Sequence, residues 1–181
     1  MLPITVPKGE YWDEEKEEFV FTKGGLLKLE HSLISISKWE SKWNVPFFET
    51  EKTDEQILDY IRCMTLNPDA VDPELYTHLS RQNILDINDY IAAPMTATKI
   101  SSSINDKKTS GEFITSELIY YWMIAYNIPV EFQKWHINRL LMLIRVCSEK
   151  NKPAKKMNRR QIAEMNRARN EARKAKYKTR G

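Results

Sequence analysis

Residues 129–147, PVEFQKWHINRLLMLIRVC, are the hardest part of this sequence to leave in water. At helical spacing, Phe132, Trp135, His136, Leu140, Leu143 and Cys147 trace one stripe. Ile137, Leu141 and Ile144 trace a second beside it. A helix apolar over most of its circumference has to be enclosed by other elements. Pro129 sits where a first helical residue is favoured. Just before it, TSELIYYWMIAYN reads as another helix, with Thr115 or Ser116 as its cap. The two are joined by NIP and predict a helical hairpin at the centre of the core, around Trp122 and Trp135.

The rest of the chain can supply that enclosure. It has 181 residues, enough for one domain with a real core, and 41% are hydrophobic against 29% charged. From Ser32 the apolar period becomes helical, through Leu33, Ile36, Trp39 and Trp43, and Pro46 ends that helix. TDEQILDYIRCM follows, with Thr53 or Asp54 as cap and Ile57, Leu58, Ile61 and Met64 as the expected buried face. A short helix is expected at 73–79. Another spans RQNILDINDYIAA, with Ile84, Leu85, Asn88 and Ile91 on one side.

Before Ser32 the pattern is β. ITVP, EEFVFT and LLKLEH are short β-branched and aromatic runs, and KGG at 23–25 reads as the turn between the last two. The expected fold is mainly α: a small N-terminal β-hairpin or meander over 1–31, and a helical domain over 32–150. That domain is interrupted by a flexible loop at 93–112, and a projecting basic helix follows at 151–181.

Charge is distributed unevenly. Residues 149–181 hold 13 Lys and Arg against 3 Glu, a net +10, while the first 148 residues are at −7. In the terminal segment Asn158 and Gln161 make a capping pair, and the apolar face is thin: Ile162, Met165, Ala168 and Ala172. Its cations surround the helix, and Tyr177 is its single aromatic ring. An acidic protein partner or a solvated face therefore fits it better than nucleic acid does.

Catalytic signatures are missing. His31, His78 and His136 are scattered, and the lone His136 on an apolar stripe reads as a satisfied core histidine. Cys63 and Cys147 have no metal-ligand spacing and read as buried thiols of a reducing compartment. The sequence contains no HExxH, CxxC, glycine-rich phosphate loop or GxSxG. No catalytic, cofactor or metal residues are assigned, and a protein that binds without catalysing is expected. No run is long enough to span a bilayer, and the first residues do not resemble a secretory signal.

In ISISKWESKWNVPFF, Trp39 and Trp43 lie on one face among polar neighbours. Packing within the chain's own core is the first reading and a partner surface the second. Together with Phe47 and Phe48 they are candidate partner anchors, as are Arg159, Arg160, Arg167, Arg169 and Arg173 in the basic tail.

Five quoted pieces, in order, are LEHSLISISKWESKW, TDEQILDYIRCM, DYIAAPMTAT, SELIYYWMIAYNIPVEFQKWHINRLLMLIRVC and PAKKMNRRQIAEMNRARNEARK. In that order the chain resembles the tail assembly chaperones of long-tailed bacteriophages over about residues 26–175. It departs from them in carrying SSSINDKKTSG where members carry a Gly-rich insert, and IAAP where they carry an acidic pair after YI. The resemblance implies a protein of the host cytoplasm that coats the long helical tape measure protein and keeps it soluble. It also implies recruitment of tail tube subunits, a short and a frameshift-extended form, and absence from the finished virion. A structural tail or connector subunit, or a nucleic-acid-binding accessory protein, is the alternative. The opposed charges of body and tail also suggest salt-sensitive head-to-tail self-association.

Overall fold

The computed structural model describes residues 1–13, 17–99, 113–152 and 159–177. They divide into two compact units, residues 1–149 and 150–181.

The first unit is mainly helical and opens on a two-stranded ribbon. Strand β1 (Leu2–Val6) pairs antiparallel with β4 (Gly25–Leu29), and β2 (Gly9–Asp13) with β3 (Glu18–Thr22). The register runs Leu2↔Leu29 to Val6↔Gly25 and continues as Gly9↔Thr22 to Asp13↔Glu18 without a slip. The strands therefore form one long hairpin with a break opposite Pro7–Lys8. Alternation along β1 and β4 buries Ile4, Val6, Leu27 and Leu29 and leaves Pro3, Thr5, Leu26 and Lys28 outside.

The KGG segment is not the chain reversal expected from the sequence. Gly24 sits at the break with φ +65°, and a Cβ there would come within 2.7 Å of the Lys8 backbone nitrogen. Glycine is required because the two strands close up at this point. The reversal lies between Asp13 and Glu18, and GEYWD, which has no β-branched residue, is a strand beyond the three runs expected from the sequence.

Helix α1 (Leu33–Trp43) is the centre of the core. Ser32 caps it and Ser35 reciprocates, and Asn44 closes it in the left-handed region. Leu33, Ile36 and Trp39 are completely buried. Helix α2 (Asp54–Met64) starts on a Thr53–Gln56 capping box and packs on α1. Beyond α2 the chain runs beside β4, with Glu30 N donating to Met64 O and Leu66 N to Lys28 O, then makes a 3₁₀ turn at Pro73–His78. Helix α3 (Arg81–Ala92), capped by Ser80, packs on β1. Residues 93–99 are irregular, and the remainder of the expected loop, 100–112, lies outside the described residues.

Helix α4 (Ser116–Ala125), capped by Thr115, packs on α1. The expected long helix from Pro129 is interrupted. A 3₁₀ segment, Val130–Lys134, leads to extended backbone at Trp135, and α5 (Ile137–Asn151) begins only after His136. The cause is a non-local pairing. His136 forms an antiparallel bridge with Ser32, and Ile137 N donates to His31 O at 2.7 Å. Trp135 is half-buried, stacked on Phe132 and covered by the Arg139 guanidinium, and Trp122 is half-buried as well. The deepest core is therefore α1 with Leu27, Leu29, Ile119, Ile137 and Leu140, not the hairpin around Trp122 and Trp135.

Two predicted faces are rotated. In α2, Ile57 is exposed and Tyr60 takes its place inside beside Ile61 and Met64. In α3, Ile87 and Tyr90 are buried, whereas Leu85 and Asn88 face solvent.

The second unit contains α6 (Arg159–Tyr177). The capping residue expected at Asn158 lies outside the described residues. Among the described residues no helix is long and apolar enough to cross a membrane.

Candidate partner-binding surfaces

The aromatic group around α1 belongs mostly to the interior. Trp39 is 0% exposed and its indole donates to Gln56 O at 2.9 Å. Trp43 is half-buried, and its indole donates to Asp59 Oδ2 at 3.0 Å. Phe47 is buried edge-on against Trp39. Of the four aromatic anchors named from sequence, Phe48 alone is exposed. Trp39 thus follows the first reading, core packing, and Phe47, named only as a partner anchor, is corrected to a core residue beside it. What sequence spacing does not reveal is that a buried indole N–H needs an acceptor, and α2 supplies one to Trp39 and one to Trp43.

Two buried carboxylates tie this region together. Glu40 accepts from Phe47 N at 2.8 Å and from Ser116 N, the first residue of α4, at 2.7 Å. It therefore neutralises the positive end of α4 as well as closing the turn after α1. Asp59 accepts from the Lys42 ammonium and the Trp43 indole. Lys52 lies over the Phe47 ring at 4.0 Å, and burial lowers its pKa while Glu40 opposes that.

The histidines are also interior. His31 Nδ1 shares a hydrogen bond with the Tyr60 hydroxyl, and its ring lies 5.1 Å from that of His136. Burial, then His136 and Lys52, push the His31 pKa down to about 3, and burial raises that of Tyr60. A neutral phenol therefore donates to a neutral imidazole. His136 donates from Nε2 to Tyr90 O at 3.0 Å, and burial lowers its pKa too. Both rings are spoken for and shut away from solvent, so neither is placed to relay a proton to a substrate.

A cleft of about 540 Å³ is lined by Ser32, Ser35, Lys38, Cys63, Asp69 and Lys134, among others. Burial, and next Asp59, push the Cys63 thiol up, the wrong direction for a nucleophile. Among the described residues no group of three or more His, Cys, Asp and Glu is arranged to hold a metal ion.

The surface that stands out is the outer side of α4. Ser116, Ile119 and Met123 face α1, while Glu117, Tyr121, Ile124 and Ala125 lie on the opposite side. Tyr121 is 63% exposed and Ile124 is 76% exposed. Phe113 and Ile114 just before the helix, and Val130 just after it, are exposed as well. Sequence reasoning missed this surface because a helix that is apolar all round reads as fully enclosed. The available signal was the absence of any polar face on SELIYYWMIA for water to occupy.

Arg159, Arg160, Arg167, Arg169 and Arg173 all lie exposed on α6, beside the partly exposed Ile162 and Met165. No protein-family model, curated protein or solved structure matches this chain.

Proposed function

We propose that this chain is a non-enzymatic assembly chaperone that covers apolar helical surface on another protein. The observation that carries the reading is the outer side of α4, where Tyr121 and Ile124 stand in water on a helix with almost no polar residues. An amphipathic partner helix laid along it, with apolar anchors three and four residues apart, would remove that surface from solvent. With the resemblance to tail assembly chaperones, the partner is the tape measure protein of a long-tailed phage. The chaperone holds it soluble in the host cytoplasm, helps recruit tail tube subunits, and leaves before the virion is complete.

Co-expression with the neighbouring long helical gene product tests this. That product is expected to become soluble with the wild-type chain and to return to the pellet when Tyr121→Ser and Ile124→Ser are introduced together. Equal solubility with and without this chain removes the reading. A structural tail component would instead be found in stoichiometric amounts by mass spectrometry of purified particles. The exposed Arg and Lys of α6 are the one feature favouring nucleic acid, which predicts a gel shift at low salt that is lost steeply as salt rises.

A further inference from the structure

Two surfaces other than the outer side of α4 carry opposite charge and exposed apolar groups. The first lies beside β3. Phe21 is 72% exposed and, with Leu75, lines a cleft of about 240 Å³. Asp72 and Glu74 line it too, with Lys23. Glu10, exposed on β2, is the cross-strand partner of Phe21 and stands beside it on the same face of the ribbon. Residues 9–22 hold six acids against one Lys, a net −5. The second is α6, which holds seven Lys and Arg against two Glu, a net +5. Ile162, Met165, Arg169 and Lys176 recur at i, i+3, i+7 and i+14 and share one side of that helix. Ile162 is 41% and Met165 39% exposed, so α6 has an apolar pair with cations next to it and no enclosed face.

We propose that α6 of one copy docks in the acidic groove beside β3 of a second copy. Ile162 and Met165 would cover Phe21, and Arg169, Arg173 and Lys176 would face Glu10, Asp72 and Glu74. The charges match in sign, and each surface offers what the other lacks: the groove an aromatic ring rimmed with carboxylates, the helix an aliphatic pair rimmed with cations. The contact is heterologous, since groove and helix are different parts of the chain, so copies add head to tail and build open rows unless the rotation between them closes a ring. This goes beyond the role given to α4 and leaves that face free for its own partner.

Sedimentation velocity of the full chain tests it with two variants that alter exposed side chains. One carries Glu10→Lys and Glu74→Lys in the groove. The other carries Arg169→Gln, Arg173→Gln and Lys176→Gln on α6. Wild type is expected to form a concentration-dependent ladder of species at low salt that shortens as salt rises. Each variant should associate at least about tenfold more weakly, since several rim charge pairs are lost together. The decisive sample is the equimolar mixture. It retains one intact groove and one intact helix, so it should give heterodimers and nothing larger. A wild type that is monomeric at every concentration, as pairing within one chain would make it, overturns the proposal. So does a ladder that survives the α6 substitutions, or a mixture that regains the full ladder. The α6 variant leaves residues 1–149 unchanged and keeps the test decisive even if the groove variant does not fold.

Discussion

At the scale of single residues, Glu40 decides more than its place in the sequence suggests. It is a buried carboxylate whose two oxygens are each used by a backbone N–H, one 7 and one 76 residues away. Replacing it by Gln puts an amide NH₂ where one oxygen was, so one of those donors faces another donor. Leaving one buried N–H unpaired and removing the charge beside the α4 N-terminus should cost about 2–3 kcal/mol, read as a lower urea midpoint at unchanged slope. A loss below about 1 kcal/mol would show that water reaches the site. His31 gives a pH signature. Its folded pKa of about 3 lies below the ordinary 6.5, so the unfolded chain binds the extra proton between those values. Stability is complete above pH 6.5 and should fall by roughly 1.4 kcal/mol for each unit below it, until the loss ends near pH 3. The groups facing His31 are Tyr60, His136, Lys52 and Phe47. His136 adds a slope of the same sign. His31→Gln should flatten the stability profile between pH 6.5 and 5, whatever it does to stability at pH 7.5. An unchanged profile would mean that His31 protonates freely in the folded state. Neither residue was legible in this role. A Glu on an amphipathic helix reads as solvated until the helix that begins 76 residues on is seen to start against it.

At the scale of elements, the helix starts were readable because their chemistry is local. Thr53 and Thr115 each accept from a backbone N–H three residues on, a bond that depends on nothing outside one turn, and Ser80, not named from the sequence, does the same. Faces and breaks depend on neighbours and were read less well. Tyr60 turns inward because His31 and Ser35 wait for its hydroxyl, and α5 starts late because His136 pairs with Ser32. The ribbon is the clearest case. Its β2 strand has no β-branched residue, and its break at Gly24 looks like an ordinary turn until the register is seen to continue through it. Gly24→Ala tests that geometry. Alanine has to hold φ near +65° and bring its Cβ within 2.7 Å of the Lys8 nitrogen, so the strands must part there. A loss of about 1–3 kcal/mol is expected in chemical denaturation. Gly25→Ala is a useful contrast, because its new Cβ meets the end of the flexible Leu75 side chain and not backbone.

At the scale of the molecule, charge and core belong to different parts of the chain. The split into an acidic body and a basic tail could be counted from the sequence, since it needs no fold. The sequence also points to where enclosed surface stops, because Ile162, Met165, Ala168 and Ala172 make only a thin apolar face. Among the described residues every fully buried side chain belongs to residues 1–149, and each described residue of α6 outside position 161 is exposed. A helix of this kind, without an enclosed apolar face, is marginal by itself, since most helical stability in proteins comes from packing. Its opening costs little, and it is dense in Lys and Arg. Trypsin should therefore cut first in residues 150–181 and leave a lasting fragment that ends near Lys150. That fragment keeps α1, the ribbon and both carboxylate ties, so it should still melt in one cooperative transition. Its midpoint should lie within a few degrees of the full chain at a concentration where self-association is absent. Mass spectrometry of the fragment and a thermal melt read both outcomes. If cleavage instead starts within residues 17–99, or the fragment melts without a transition, then the enclosed surface assigned to residues 1–149 is not enough to hold the fold, and the tail must be counted as part of the core.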